Sequence, residues 1–147
     1  MFRELARQYY VEEEISDVLQ SEIKKRFLRA EGFMSSEAKH IIVATHSFHD
    51  WHLTECSVYC DHGTKNCRLT LEKRGMTYSV LFSGVSSFSI IGELVSDEAN
   101  YPNSELNSSL AQVLDIWLDH QKHFEFCLLL DNERFVTIQA DKFSICK

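Results

Sequence analysis

Proline and glycine are scarce in this chain, with one Pro and five Gly among 147 residues. That leaves little room for a long flexible linker and argues for a single compact unit spanning 1–147. Long apolar runs are missing too. None approaches the roughly 20 residues that a membrane-spanning helix needs, so no membrane partner is expected. The opening Met1-Phe2-Arg3-Glu4-Leu5-Ala6-Arg7 lacks the apolar stretch of a secretion signal, so a cytoplasmic location is the expectation. Cys56, Cys60, Cys67, Cys127 and Cys146 are odd in number and irregular in spacing, which suits a reducing compartment better than a disulfide framework. There is no glycine-rich phosphate loop, and Phe82-Ser83-Gly84-Val85-Ser86 lacks the first Gly of a nucleophile elbow. No cofactor is implied.

Basic residues are almost absent from one segment. From Glu93 to Glu133 there are nine acids against one base, Lys122, whereas the rest of the chain holds thirteen acids and fourteen bases. The net charge of −7 therefore resides in that segment. Direct nucleic-acid binding is not expected, because it requires neutralising phosphates. A basic protein partner is compatible with the charge, since complementary fields speed encounter.

What the chain has in quantity is apolar and aromatic side chains, 44% and 12%, and at this length roughly 70% of the unfolded surface can be buried. Residues about 3–30 read as helix. Ile15, Val18, Leu19, Ile23 and Phe27 form a 3.6-residue stripe, and a break is plausible near Tyr10-Val11. Gly32 stops the run. Ser35-Ser36-Glu37 offers caps for a second helix over 36–45, leading to a hinge at Ser47-Phe48-His49-Asp50-Trp51-His52. Beyond it, strand candidates follow at 53–60, 67–71, 77–82, 85–91, 110–119, 124–130 and 134–140, with a final short one around Phe143-Ile145. The fold class expected is α+β: a helical part (1–46) packed on a β-rich part (47–147), a mostly antiparallel or two-layer sheet of six to seven short strands. Leu69, Leu71, Val80, Phe82, Ile116, Leu118, Phe126, Leu128, Val136 and Ile138 are the expected inward residues.

Three sets of residues carry candidate function. The His/Asp/Cys cluster at 46–67 contains the residue types zinc selects, with His46, His49, Asp50 and His52 as the metal-binding or hydrolytic candidates. Its spacing is poor: it has no CxxC pair, and Cys56 and Cys60 on one strand would lie about 13 Å apart. Phe48-His49-Asp50 reads instead as a structural junction, with Asp50 accepting backbone N–H bonds and His49 donating to a carbonyl. The third set is a partner-binding surface. Tyr101 and Glu105 fall in the longest loop, and strand alternation places Asp115, Trp117 and Asp119 together on an outer face.

The run Ser47-Phe48-His49-Asp50, then Leu69-Thr70-Leu71 and Val80-Leu81-Phe82-Ser83-Gly84-Val85, resembles a bacterial domain family of unknown function with an F/L-H-D box followed by short strands. Phe124-Glu125-Phe126-Cys127-Leu128-Leu129-Leu130 and Ile138-Gln139-Ala140-Asp141-Lys142-Phe143-Ser144-Ile145 match its later strands, and Arg7-Gln8-Tyr9-Tyr10 looks like a shortened form of its helical start. The resemblance covers about residues 47–146 and brings no catalytic residues with it. Similar small β-rich domains recur as immunity proteins beside secreted toxins. It therefore implies a non-enzymatic inhibitor whose acidic segment meets a basic cleft, with Trp117 and Tyr101 as anchors. The His/Cys enrichment between His52 and Cys67 departs from the family pattern and leaves a metal site open.

Overall fold

The computed structural model describes residues 2–11, 16–92, 110–131 and 133–147. Among these residues three helices come first: α1 (Phe2–Val11), α2 (Asp17–Glu31) and α3 (Ser36–Ala44). Two helix caps follow local chemistry. Ser16 Oγ accepts the Leu19 N–H at 3.1 Å, and Ser35 Oγ accepts the Ala38 N–H at 3.1 Å, each satisfying an amide that has no partner within its helix. The expected break near Tyr10-Val11 is where α1 ends. Ile15, placed by the sequence on the stripe of α2, lies outside the described residues.

Six strands follow: β1 (His52–Asp61), β2 (Thr64–Lys73), β3 (Met76–Ile91), β4 (Ala111–His120), β5 (Phe124–Leu130) and β6 (Phe135–Cys146). They form a closed antiparallel barrel in the order β1-β2-β3-β6-β5-β4. Helices preceding an antiparallel sheet make this the α+β architecture that the sequence predicts. Two sequence-based divisions are corrected. The separate strands expected at 77–82 and 85–91 are one strand, and those at 134–140 and 143–145 are one strand. The physical reason is a bulge: the β3–β6 register shifts between Val85 and Ser87, so the chain bends around the barrel at Gly84 instead of breaking there. Gly84 has φ +68°, and a Cβ at that position would fall on the Asp141 carboxylate. Two-residue turns at His62-Gly63 and Arg74-Gly75, all four residues at positive φ, join β1–β2 and β2–β3.

Two cores result. The barrel interior holds all ten residues expected to point inward, together with Leu53, Val113, Phe124, Leu130 and Ile145. Ala38, Ile41 and Ile42 of α3, with Phe48 and Trp51 of the hinge, pack into the same core. A second, smaller core lies on the other face of β4, β5 and the start of β6, where α1 brings Phe2 and Ala6 onto Trp117, Cys127, Leu129 and Phe135. Barrel closure is brief: β1 meets β4 only through His52↔Gln112 and Leu53↔Ala111. Beyond those pairs α2 packs along β4. No helix among the described residues is long and apolar enough to cross a membrane.

Candidate functional site

The hinge between α3 and β1 is a left-handed turn. His46, Ser47 and Phe48 have φ of 50°, 56° and 57°, and Asp50 has 68°. A left-handed residue with a Cβ costs roughly 1–2 kcal/mol, so the surroundings must hold this backbone in place. They do so from three sides. Thr45 Oγ donates to the Ile41 carbonyl at 2.7 Å and accepts the Phe48 N–H at 3.3 Å. The Phe48 ring is fully buried, edge-on to Trp51 and Tyr78 at 5.2 and 5.8 Å. From β4, the Val113 carbonyl accepts the Asp50 N–H at 2.9 Å, and the Leu114 carbonyl lies 2.8 Å from His49 Nδ1. The Asp50 carboxylate, half-exposed, accepts from Gln112 Nε2 at 2.9 Å. Asp50 thus uses its own N–H toward the backbone and its carboxylate toward a side chain, the reverse of the bonding expected from the sequence. His49 reaches a carbonyl 65 residues away.

The turn forms one wall of a groove of about 450 Å³. α2 contributes Gln20, Ile23, Lys24 and Phe27; α3 and the turn contribute Ile42, Val43, His46 and Ser47; β4 contributes Asp115 through Leu118. The walls are mostly apolar, and Val43 stands on the rim, 72% exposed. Among the described residues Asp115 is the only acid lining the groove. Its Oδ1 accepts the Ile116 N–H at 2.8 Å and its Oδ2 accepts Trp117 Nε1–H at 3.1 Å. Burial pushes the Asp115 carboxyl above its usual range, with the two N–H bonds and the nearby His49 pulling the other way. The same charge, added to burial, raises the phenol of Tyr9 and the thiol of Cys127.

The residues that the sequence nominated for partner binding separate. Asp115, Trp117 and Asp119 do share the outer face of β4, but that face is covered, which corrects the expectation of an outward Trp. Trp117 is 1% exposed, with Phe2 and Tyr9 at ring-centroid distances of 5.9 and 5.7 Å. Asp119 is equally buried and receives Arg29 Nε and Nη2 at 3.0 and 2.8 Å, with Arg26 at 3.7 Å. Asp131 is paired with Arg134. Part of the charge of the acidic segment from Glu93 to Glu133 is therefore neutralised within the chain. Tyr101 and Glu105 lie outside the described residues.

Of the metal candidates, His46 lines the groove, His49 and Asp50 bond to β4, and His52 sits exposed at the start of β1. No group of three or more His, Cys, Asp or Glu converges on a point among the described residues. Cys56 and Cys67 meet across β1 and β2. The buried Cys67 thiol donates to the Cys56 sulfur, lowering the acid range of Cys56 and raising that of Cys67.

Sequence reasoning missed the groove. The nearest signal was the α2 stripe, since Ile23 and Phe27 lie on it and are only half-buried in the fold. It also missed Tyr10, whose hydroxyl lies 2.6 Å from both the Leu130 and Arg134 carbonyls and accepts the Leu130 N–H at 3.0 Å. No protein-family model matches this chain, and no curated protein matches it either.

Proposed function

We propose that this chain is a non-enzymatic protein-interaction domain, of the immunity type that blocks a basic partner, and that it engages the partner at the groove between α2, α3 and β4. The observation that carries the reading is the groove itself: an open concavity of about 450 Å³ with apolar walls and a strongly exposed valine on its rim. Apolar concavities of this kind accept anchoring side chains from a partner. His49 and Asp50 beside it are committed to the fold, bonded to Leu114 and Gln112, which suits a rigid recognition surface. The net charge of −7 supports a basic partner through long-range attraction. Trp117 and Asp119 belong to the support beneath the groove, so contact falls to Val43, the turn and the exposed side of α2.

A photo-crosslinking amino acid placed at Val43 tests this, with the same probe at Lys65 as control. Lys65 is exposed beside the β1–β2 turn, about 30 Å of strand away from the hinge. A discrete adduct in lysate of the source cell from position 43 alone, containing a basic protein, is the expected outcome. Absence of an adduct, or equal labelling from both positions, would overturn the assignment.

A further inference from the structure

Asp115 and Asp119 lie four residues apart on one face of β4, yet among the described residues only Asp119 has a Lys or Arg counter-ion. Asp119 holds two guanidinium nitrogens of Arg29 and a third from Arg26. Asp115 is bonded only to neutral donors, the Ile116 amide and the Trp117 indole. No Lys or Arg pairs with it among the described residues. A carboxylate taken out of water without a cation carries a standing penalty. Here the same group faces an open apolar groove. Each oxygen has accepted one protein donor and keeps a second lone-pair direction free.

We propose that the groove is a receptor for a single alkyl guanidinium, an arginine side chain of the protein partner, with its methylenes against Ile23, Phe27 and Ile42 and its charged fork on the two oxygens of Asp115. The inference rests on the interaction reading above and names the group the partner inserts. Arginine is favoured over lysine because a planar fork matches two parallel oxygens, while an ammonium satisfies them as a point charge. A divalent metal is a poor fit, since one carboxylate supplies too few oxygen ligands. Lys24 and His46 line the groove and His49 stands beside Asp115, which disfavours a strongly polybasic segment and leaves room for one inserted cation. Because burial holds the Asp115 carboxyl above its usual range, a guanidinium binds better as pH rises through that titration.

The chain reports on this site without a label. It has two tryptophans, Trp51 in the barrel core and Trp117, whose Nε1–H is bonded to Asp115. In a proton–nitrogen correlation spectrum of the full chain at pH 7, n-butylguanidinium should move the Trp117 indole resonance saturably. n-Butylammonium should act more weakly and n-butanol should leave it in place, with the Trp51 indole fixed throughout. Asp115→Asn should abolish the shift, with the Trp51 resonance showing whether the variant is folded. Val43→Trp, at a position that tolerates exposure, should weaken binding by narrowing the mouth of the groove. No saturable shift with either cation, an equal response to butanol, or saturable binding that survives in folded Asp115→Asn would overturn the proposal. The two readings fail separately. Cation binding without a crosslink at position 43 removes the partner reading and keeps the site; a crosslink without cation binding does the reverse.

Discussion

Asp119 shows how far a single buried carboxylate can constrain its neighbours. Its side chain is 1% exposed and depends on Arg29, itself partly open to solvent, for a two-bonded ion pair, while it also accepts the His120 N–H at 2.7 Å. Removing one partner of a buried pair leaves an uncompensated charge. Arg29→Ala should therefore cost about 3 kcal/mol, read from the urea midpoint at pH 7. Arg26→Ala, which removes a more distant contact at 3.7 Å, should cost about 1 kcal/mol. Equal small losses would show that Asp119 is stabilised elsewhere. Strand alternation made Asp115, Trp117 and Asp119 legible as one face, because the side-chain period of two is local. What covers that face was not local. The available signal was β5, where Phe124-Glu125-Phe126-Cys127-Leu128-Leu129-Leu130 is apolar at nearly every position. That is the mark of a strand buried on both sides, and it implies a cover over β4 as well.

At the scale of elements, the left-handed turn is the least legible part of the chain and the part on which the groove depends. Of the four positive-φ residues in this turn, only His46 and Asp50 are types that tolerate the left-handed region; Ser47 and Phe48 are not. The turn exists because Phe48 is driven into the barrel core and β4 offers carbonyls to His49 and Asp50. Tertiary contacts override local preference there. Ser47, half-buried with φ 56°, is held by its N–H on the Ile42 carbonyl at 2.8 Å, while its side chain makes no hydrogen bond among the described residues. Ser47→Gly should relieve its strain and raise stability by about 0.5–1 kcal/mol after the added flexibility of the unfolded chain is offset, visible as a higher Tm. A lower Tm would show that the serine side chain governs the turn. The start of α3, by contrast, was legible from Ser35, because a cap is a contact between residues three apart, whereas the Ser16 cap that starts α2 was not picked out of the helical run. The merging of two predicted strands at Gly84 was not, because a bulge and a break look alike until the partner strand is known.

For the molecule as a whole, the question is what fastens the helical layer to a barrel that closes through only two residue pairs between β1 and β4. On the α1 side the fastening is Tyr10. Its ring stacks on Phe135 at 6.2 Å, and its hydroxyl sits between the Leu130 and Arg134 carbonyls, bridging α1 to the β5–β6 turn. Burial is the main cause that lifts this phenol far above the ordinary tyrosine value of 10.0; the Leu130 N–H donated to its oxygen counts against it, while the charges of Cys127, Tyr9 and Asp131 add to it. The folded chain therefore keeps the proton at a pH where the unfolded chain has lost it. Below pH 10 the contribution to stability is complete. As pH climbs above 10 the unfolded state binds fewer protons than the folded one, and stability falls by up to about 1.4 kcal/mol per pH unit. Tyr10→Phe keeps the ring but loses the bonds, and should cost about 1–2 kcal/mol at pH 7. Its deficit relative to the native chain should shrink as pH rises from 9 to 11.5, because only the native chain has this phenol to lose, while the raised phenol of Tyr9 is common to both. Unfolding free energies measured across that range decide the matter. A deficit that stays constant with pH would mean that the Tyr10 hydroxyl does not couple α1 to the barrel.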